Sequence, residues 1–163
     1  MDVNFGDPVT PGPSRVTLPS LRPGLEPVHV LGYPVETVLA EKIATAITLG
    51  PANTRVRDYA DIYALTGRYA LIRRTTRNAL LATAAYRDTP VRPLSQAIGN
   101  FADLRQQTFA AYRSSLGDLG RQLPATLSTV VSAVTAFADP LATDDAAEAT
   151  WRPAERVWTS LPN

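Results

Sequence analysis

The rhythm of hydrophobic and polar positions changes at residue 35. Before it, short alternating pieces lie between prolines and glycines, and three of them predict strands, at 3–5, 15–18 and 27–31. From Val35 the apolar positions take a helical period in an alanine-rich sequence. They predict helices near 35–49, 54–66, 70–87, 94–115 and 122–138. The breakers between them are Gly50-Pro51, Gly67, Pro90 with Pro93, and Gly117 with Gly120. From Asp139 the chain is polar and acidic, then carries Trp151 and Trp158, which are expected to pin the tail onto the helices. The fold class is therefore α+β: a short β segment at 1–34, a mainly helical bundle at 35–138 and a tail at 139–163. So small a sheet is marginal alone. The first alternating piece also begins at residue 2 with no preceding turn, so the chain reads as starting inside a domain.

On a helix over 35–49, Val35, Val38, Leu39, Ala46 and Leu49 form one stripe with Ile43 at its edge, and Lys42 falls near its centre. Glu36, Thr37, Glu41, Ala44 and Thr48 fall to the side or behind. Lysine on an apolar face either snorkels to water or finds a partner. Lys42 is the only lysine among sixteen basic residues, the rest being arginine. Snorkelling does not require that choice. A compact ammonium with three rotatable donors does, where a planar guanidinium does not fit. Asn53 or Thr54 is placed to cap the next helix. On it, Asp58 and Asp61 share a face at i and i+3, opposite Val56, Tyr59, Ala60 and Tyr63. The Gly50-Pro51-Ala52 link allows an antiparallel helical hairpin that turns Lys42 toward the two carboxylates. The plainer alternative for Asp61 is a surface pair with Arg57; for Asp58 only Arg55 is a local partner.

Composition narrows the function classes. The 163 residues suit one domain, or one with a small appendage, and 45% hydrophobic content is ample for a core. A net charge of +1 excludes electrostatic steering of the whole molecule, though not a local basic patch. No cysteine is present, which rules out disulfides and thiolate metal sites and fits a cytoplasmic protein. The N-terminus lacks the pattern of a signal peptide, and no stretch is apolar enough for a membrane span.

GYPVETVLAEK at 32–42 and NTRVRDYADIY at 53–63 resemble the AbiEii/AbiGii toxin family of nucleotidyltransferases, which includes the MenT enzymes. DVNFGDPVTP near the start, FADP at 137–140 and WRPAERVW at 151–158 resemble its C-terminal portion, so the resemblance spans nearly the whole chain. It implies a remnant of the nucleotidyltransferase sheet followed by a helical domain, from a toxin of type IV-like toxin–antitoxin and phage-defence systems. The implied chemistry moves a nucleotide from an NTP to an acceptor, such as a tRNA 3′ end, with Mg²⁺. Lys42 is assigned by the resemblance to the triphosphate, Asp58 and Asp61 to the catalytic constellation, Arg55 and Arg57 to substrate, and Asp2 to the metal. The cognate antitoxin and tRNA are the implied partners. The family's Gly-Ser or Gly-Gly turn and Asp-x-Asp motif do not occur in this sequence. A truncated chain, inactive alone, is one expectation; a non-catalytic helical module that binds antitoxin or RNA is the other.

Several residues read more simply. Arg73, Arg74 and Arg77 form a basic cluster, either a solvated face or a contact for RNA phosphates. His29 has no second histidine with which to hold a metal. Ile98, Phe101, Leu104, Phe109 and Tyr112 lie at roughly helical spacing and read as core.

Overall fold

In a computed structural model, residues 6–143 and 148–160 are described. Asp2 and the strand expected at 3–5 lie outside the described residues. The two other expected strands form: β1 (Ser14–Leu18) and β2 (Val28–Gly32) pair antiparallel, with Val16 opposite Val30. This ribbon stands away from the core. Val16, Leu18, Val28 and Val30 share one face and are 38, 48, 55 and 36% exposed.

Helix α1 (Val35–Leu49) has the expected bounds. A single 3-10 turn, Gly50–Ala52, leads into α2 (Val56–Thr66). Then follow β3 (Leu71–Ile72) and α3 (Arg73–Tyr86). The helix expected over 94–115 is two, α4 (Leu94–Ile98) and α5 (Phe101–Ser115). Gly99 separates them at φ 50°, a conformation no helix continues through. Helix α6 (Leu127–Ala142) starts later than the expected 122, because Thr126 takes the N-cap and its hydroxyl accepts from the Thr129 N–H. It also runs through Pro140, which stands in its last turn.

A second sheet was not legible in the sequence. β4 (Ala149–Arg152) and β5 (Val157–Ser160) form a hairpin in the tail, and β3 adds to β4, with Leu71 opposite Trp151. The indoles do pin this tail. Trp151 is fully buried and donates through Nε1 to the Thr66 carbonyl at 2.7 Å, while Trp158 donates to the Phe137 carbonyl at 3.0 Å. Phe137 packs edge-on against Trp151 and face-on against Trp158.

Helices α3 and α4 pack on α1, and α5 and α6 pack on α2, around one core that includes Leu39, Ile43, Ile62, Phe109 and Phe137. The buried arc of α1 differs from the expected stripe. It holds Leu39, Ala40, Ile43, Ala44, Ala46 and Ile47, with Thr37, whereas Leu49 is exposed and Lys42 lies at the flank rather than the centre. Leu39, Ile43 and Ala46 are buried as expected, but Ala40 and Ala44 extend the buried arc on the side away from Lys42. Leu104 also departs from the expected core and is 53% exposed.

The arginines of α3 do not form an open basic patch, and only Arg74 is largely solvated. Arg73 is buried and donates to the Pro140 carbonyl through Nε (3.2 Å) and Nη2 (2.7 Å). Arg77 donates to the Thr143 carbonyl at 3.1 Å, and Arg74 pairs with Glu148 at 2.6 Å. Arg73 and Arg77 close the C-terminal end of α6, where cations and donors are favourable. The segment before β1 is held to the bundle by Asp7, which pairs with Arg87, and by Thr10, whose carbonyl accepts from Thr37 Oγ1 at 2.9 Å. No described helix is long and apolar enough to cross a membrane.

Candidate active site

The α1–α2 turn brings the sequence-selected residues together. Gly50 ends α1 at φ 53°, and the chain reverses within three residues. Asn53 does not cap α2 at the expected position. Its Oδ1 accepts from the Arg55 N–H at 2.8 Å, just before the helix, and its carbonyl accepts from Arg105 Nε at 2.8 Å. These contacts fix the start of α2 and place Asp58 in its first turn, where the helix dipole favours a carboxylate.

Lys42 then meets both carboxylates. Its Nζ donates to Asp58 Oδ1 at 2.8 Å and to Asp61 Oδ2 at 2.9 Å. The side chains of Lys42, Asp58 and Asp61 are 21, 15 and 34% exposed. Arg55 Nη1 lies 4.0 Å from Asp58 Oδ2, and Arg57 Nε lies 3.8 Å from Asp61 Oδ2. Both arginines are largely exposed and their distances are long, so each pair contributes about 0.5 kcal/mol at most. The two lysine bonds are short, charge-assisted and half-buried, and hydrogen bonds to charged groups are worth about 1.5–3 kcal/mol. They dominate the cluster. Burial acts to lower the Lys42 pKa, but the hydrogen bonds and charges of Asp58 and Asp61 outweigh it, and the pKa stands above the ordinary lysine value. The ammonium is therefore charged at neutral pH.

Lysine has three N–H donors. Two are used here, and the third has no protein partner among the described residues. The second oxygen of Asp61 is likewise without a partner. Beside Asp61 a cleft of about 490 Å³ opens between α2, α5 and the β4–β5 turn, with Tyr63, Arg68, Tyr112 and Arg156 at its surface. Tyr112 comes from α5, and its phenol pKa is raised, mainly by burial and then by the Asp61 charge. Behind the cluster, Tyr59 is fully buried and stacks on Phe101 with ring centroids 4.3 Å apart. Its hydroxyl lies beside the Asn53 side chain, but neither it nor Asn53 Nδ2 meets a partner at full hydrogen-bond geometry. Burial raises the Tyr59 pKa further than any other influence on it.

The profile of one known family matches residues 1–147: the nucleotidyl transferase AbiEii toxin of type IV toxin–antitoxin systems. The chain belongs to the AbiEii family. The matched span contains the whole Lys42, Asp58 and Asp61 cluster, and it ends before the WRPAERVW segment at 151–158. No curated protein and no solved structure matches the chain.

An AbiEii nucleotidyltransferase implies an NTP and a divalent cation. The cation does not fit the described residues. Asp58 and Asp61 already hold an ammonium between them, and no group of three or more His, Asp or Glu among the described residues is placed to share a metal ion. His29 instead meets Thr17 Oγ1 across the β-ribbon at 3.0 Å. Asp2, the residue assigned to the metal by resemblance, lies outside the described residues. A phosphate oxygen, in contrast, suits the remaining N–H of Lys42 and the exposed guanidiniums of Arg55 and Arg57.

Proposed function

We propose that this AbiEii-family chain serves nucleotidyl transfer from an NTP to an acceptor hydroxyl such as a tRNA 3′ end, in a toxin countered by a cognate antitoxin. What carries the reading is the ammonium of Lys42, fixed by two carboxylates with one N–H left over. That is the arrangement needed to present a point charge to a phosphate without letting it wander. In the reaction, the acceptor oxygen bonds to the α-phosphorus, the bond to the β-phosphate oxygen breaks, and pyrophosphate leaves. The acceptor proton passes to a carboxylate, for which Asp58 and Asp61 are the candidates. Lys42 and the two arginines stabilise charge on the phosphates. Mg²⁺ belongs to this reading by family alone, with Asp2 as one carboxylate assigned to it. NTPs and tRNA place the work in the cytoplasm.

No Asp-x-Asp occurs in the sequence. In-line transfer leans on metal ions held by such carboxylates. The 163 residues alone are therefore expected to bind nucleotide and turn over poorly or not at all. The same observation favours a second reading, a helical module that binds antitoxin or RNA without catalysis.

Calorimetric titration with the four NTPs separates the two readings. Under the enzyme reading the chain binds an NTP, and Lys42→Arg weakens binding at least tenfold with the far-ultraviolet circular dichroism unchanged. No NTP binding by the native chain leaves only the second reading. Undiminished binding by the arginine variant removes the explanation offered for the single lysine.

A further inference from the structure

The cleft beside Asp61 has chemistry that the Lys42 cluster does not use. Part of it lies beyond the family match, because Arg156 comes from the β4–β5 turn. Arg156 stands at φ 53°, an uncommon conformation for any residue but glycine. It is held there by α2. Its Nη1 donates to the Tyr63 carbonyl at 3.1 Å and to Thr66 Oγ1 at 3.3 Å, and its guanidinium lies 3.7 Å from the centroid of the Tyr63 ring. Tyr112 and the 64%-exposed Leu119 add apolar surface, while Arg68 adds a second cation. A volume of about 490 Å³ is within the range of sites for small organic groups.

We infer that this cleft seats the terminal nucleotide of the acceptor, a single-stranded nucleic-acid 3′ end. The inference rests on the nucleotidyltransferase reading above. A ring such as that of Tyr112 offers a face on which a base of any identity stacks. With Arg156 engaged by Tyr63 and Thr66, the exposed Arg68 offers one cation to the single charge of a phosphodiester. The cleft also carries the Asp61 carboxylate, whose Oδ1 is not used by Lys42. That carboxylate suits the neutral 3′ hydroxyl of an acceptor, which donates a hydrogen bond to the Asp61 oxygen that Lys42 leaves unused. The acceptor hydroxyl then lies on the side of Asp61 away from the ammonium, and the triphosphate on the side toward it.

Fluorescence anisotropy with a short labelled single-stranded RNA ending in a 3′ hydroxyl, and calorimetry with NTP, test this on the intact chain. Ala64→Trp fills the cleft from an exposed position on α2, and Arg68→Glu reverses an exposed charge. Each is expected to weaken RNA binding by about tenfold or more and to leave NTP affinity unchanged. A 3′-phosphorylated RNA is expected to bind several-fold more weakly than the hydroxyl form, because its phosphate faces Asp61. Should Ala64→Trp fail to fold, Arg68→Glu decides alone. No RNA binding by the native chain, or unchanged RNA binding in a folded variant, overturns the inference. Loss of NTP in place of RNA also overturns it and makes the cleft the donor site. NTP calorimetry on the native chain keeps the two readings apart: no NTP binding removes the nucleotidyltransferase reading, while the RNA measurements still judge the cleft.

Discussion

Lys42 differs from the fifteen arginines of this chain in how it is held. Two carboxylates one helical turn apart converge on one nitrogen, at 2.8 and 2.9 Å, where a guanidinium would need a wider, planar seat. The pH consequence has a definite sign. A cation whose folded pKa is raised contributes stability in full below its unfolded value, and loses it as pH rises through the folded one. For Lys42 the loss begins above the ordinary lysine value of 10.5. Urea midpoints of the native chain and a Lys42→Met variant, compared at several pH values, are expected to differ by a constant amount from neutral pH to about 9 and to converge only once the pH passes the ordinary lysine value. Convergence already at neutral pH would mean that the ammonium is not paired in solution. Tyr59 makes the opposite case. Its buried hydroxyl meets only the Asn53 side chain, off hydrogen-bond geometry, so Tyr59→Phe removes a desolvated group while keeping the ring stacked on Phe101. Its unfolding free energy is expected within about 1 kcal/mol of native, or slightly higher. A loss of about 2 kcal/mol or more would reveal a partner for that hydroxyl.

Among the elements, the helical hairpin of α1 and α2 depends most on a single residue. Gly50 stands at φ 53° and ψ −138°, and a Cβ there would lie 3.0 Å from the Ala97 carbonyl oxygen. Gly50→Ala is expected to cost about 1–3 kcal/mol in chemical denaturation, and to disturb the approach of Lys42 to Asp58. A neutral result would mean that the turn has a second, unstrained form. This hairpin was legible in the sequence because its signals are local: a helical period, Gly-Pro, then a second period with its carboxylates at i and i+3. The β3–β4–β5 sheet was not. Leu71 and Trp151 are opposite each other yet eighty residues apart in sequence, and β3 is only two residues long, too short to show any alternation. The α3 arginines were misread for a similar reason. Their partners, Pro140 and Thr143, lie at the far end of the bundle, and an α-helix C-terminus accepting them carries no sequence mark. Within α1 the period was right and the arc was rotated, since Ala40 and Ala44 are fully buried yet weigh little in any hydropathy pattern.

For the molecule as a whole, the bundle is closed at both ends by ion pairs and hydrogen bonds that join distant segments. At one end Asp7 pairs with Arg87, whose Nη1 also donates to Thr45 Oγ1 at 2.8 Å, tying the segment before the β-ribbon to α1 and to the end of α3. Loss of this tie in Asp7→Ala is expected to speed tryptic cleavage at Arg15 several-fold, with the helical core cut no faster. Equal rates would show that the Thr10–Thr37 contact holds the segment unaided. At the other end the two tryptophans, the only two in the chain, lie with ring centroids 5.3 Å apart at 64°. Indoles that close share their excited states, so the near-ultraviolet spectrum of this protein reports chiefly on one place, the seat of the β4–β5 hairpin. Arg156 lies in the turn of that same hairpin, eight residues of chain carrying both a chromophore pair and a wall of the cleft. The molecule therefore comes with its own optical gauge: an occupant that shifts Arg156 is read without a label, and one that settles at Lys42 alone leaves the signal dark.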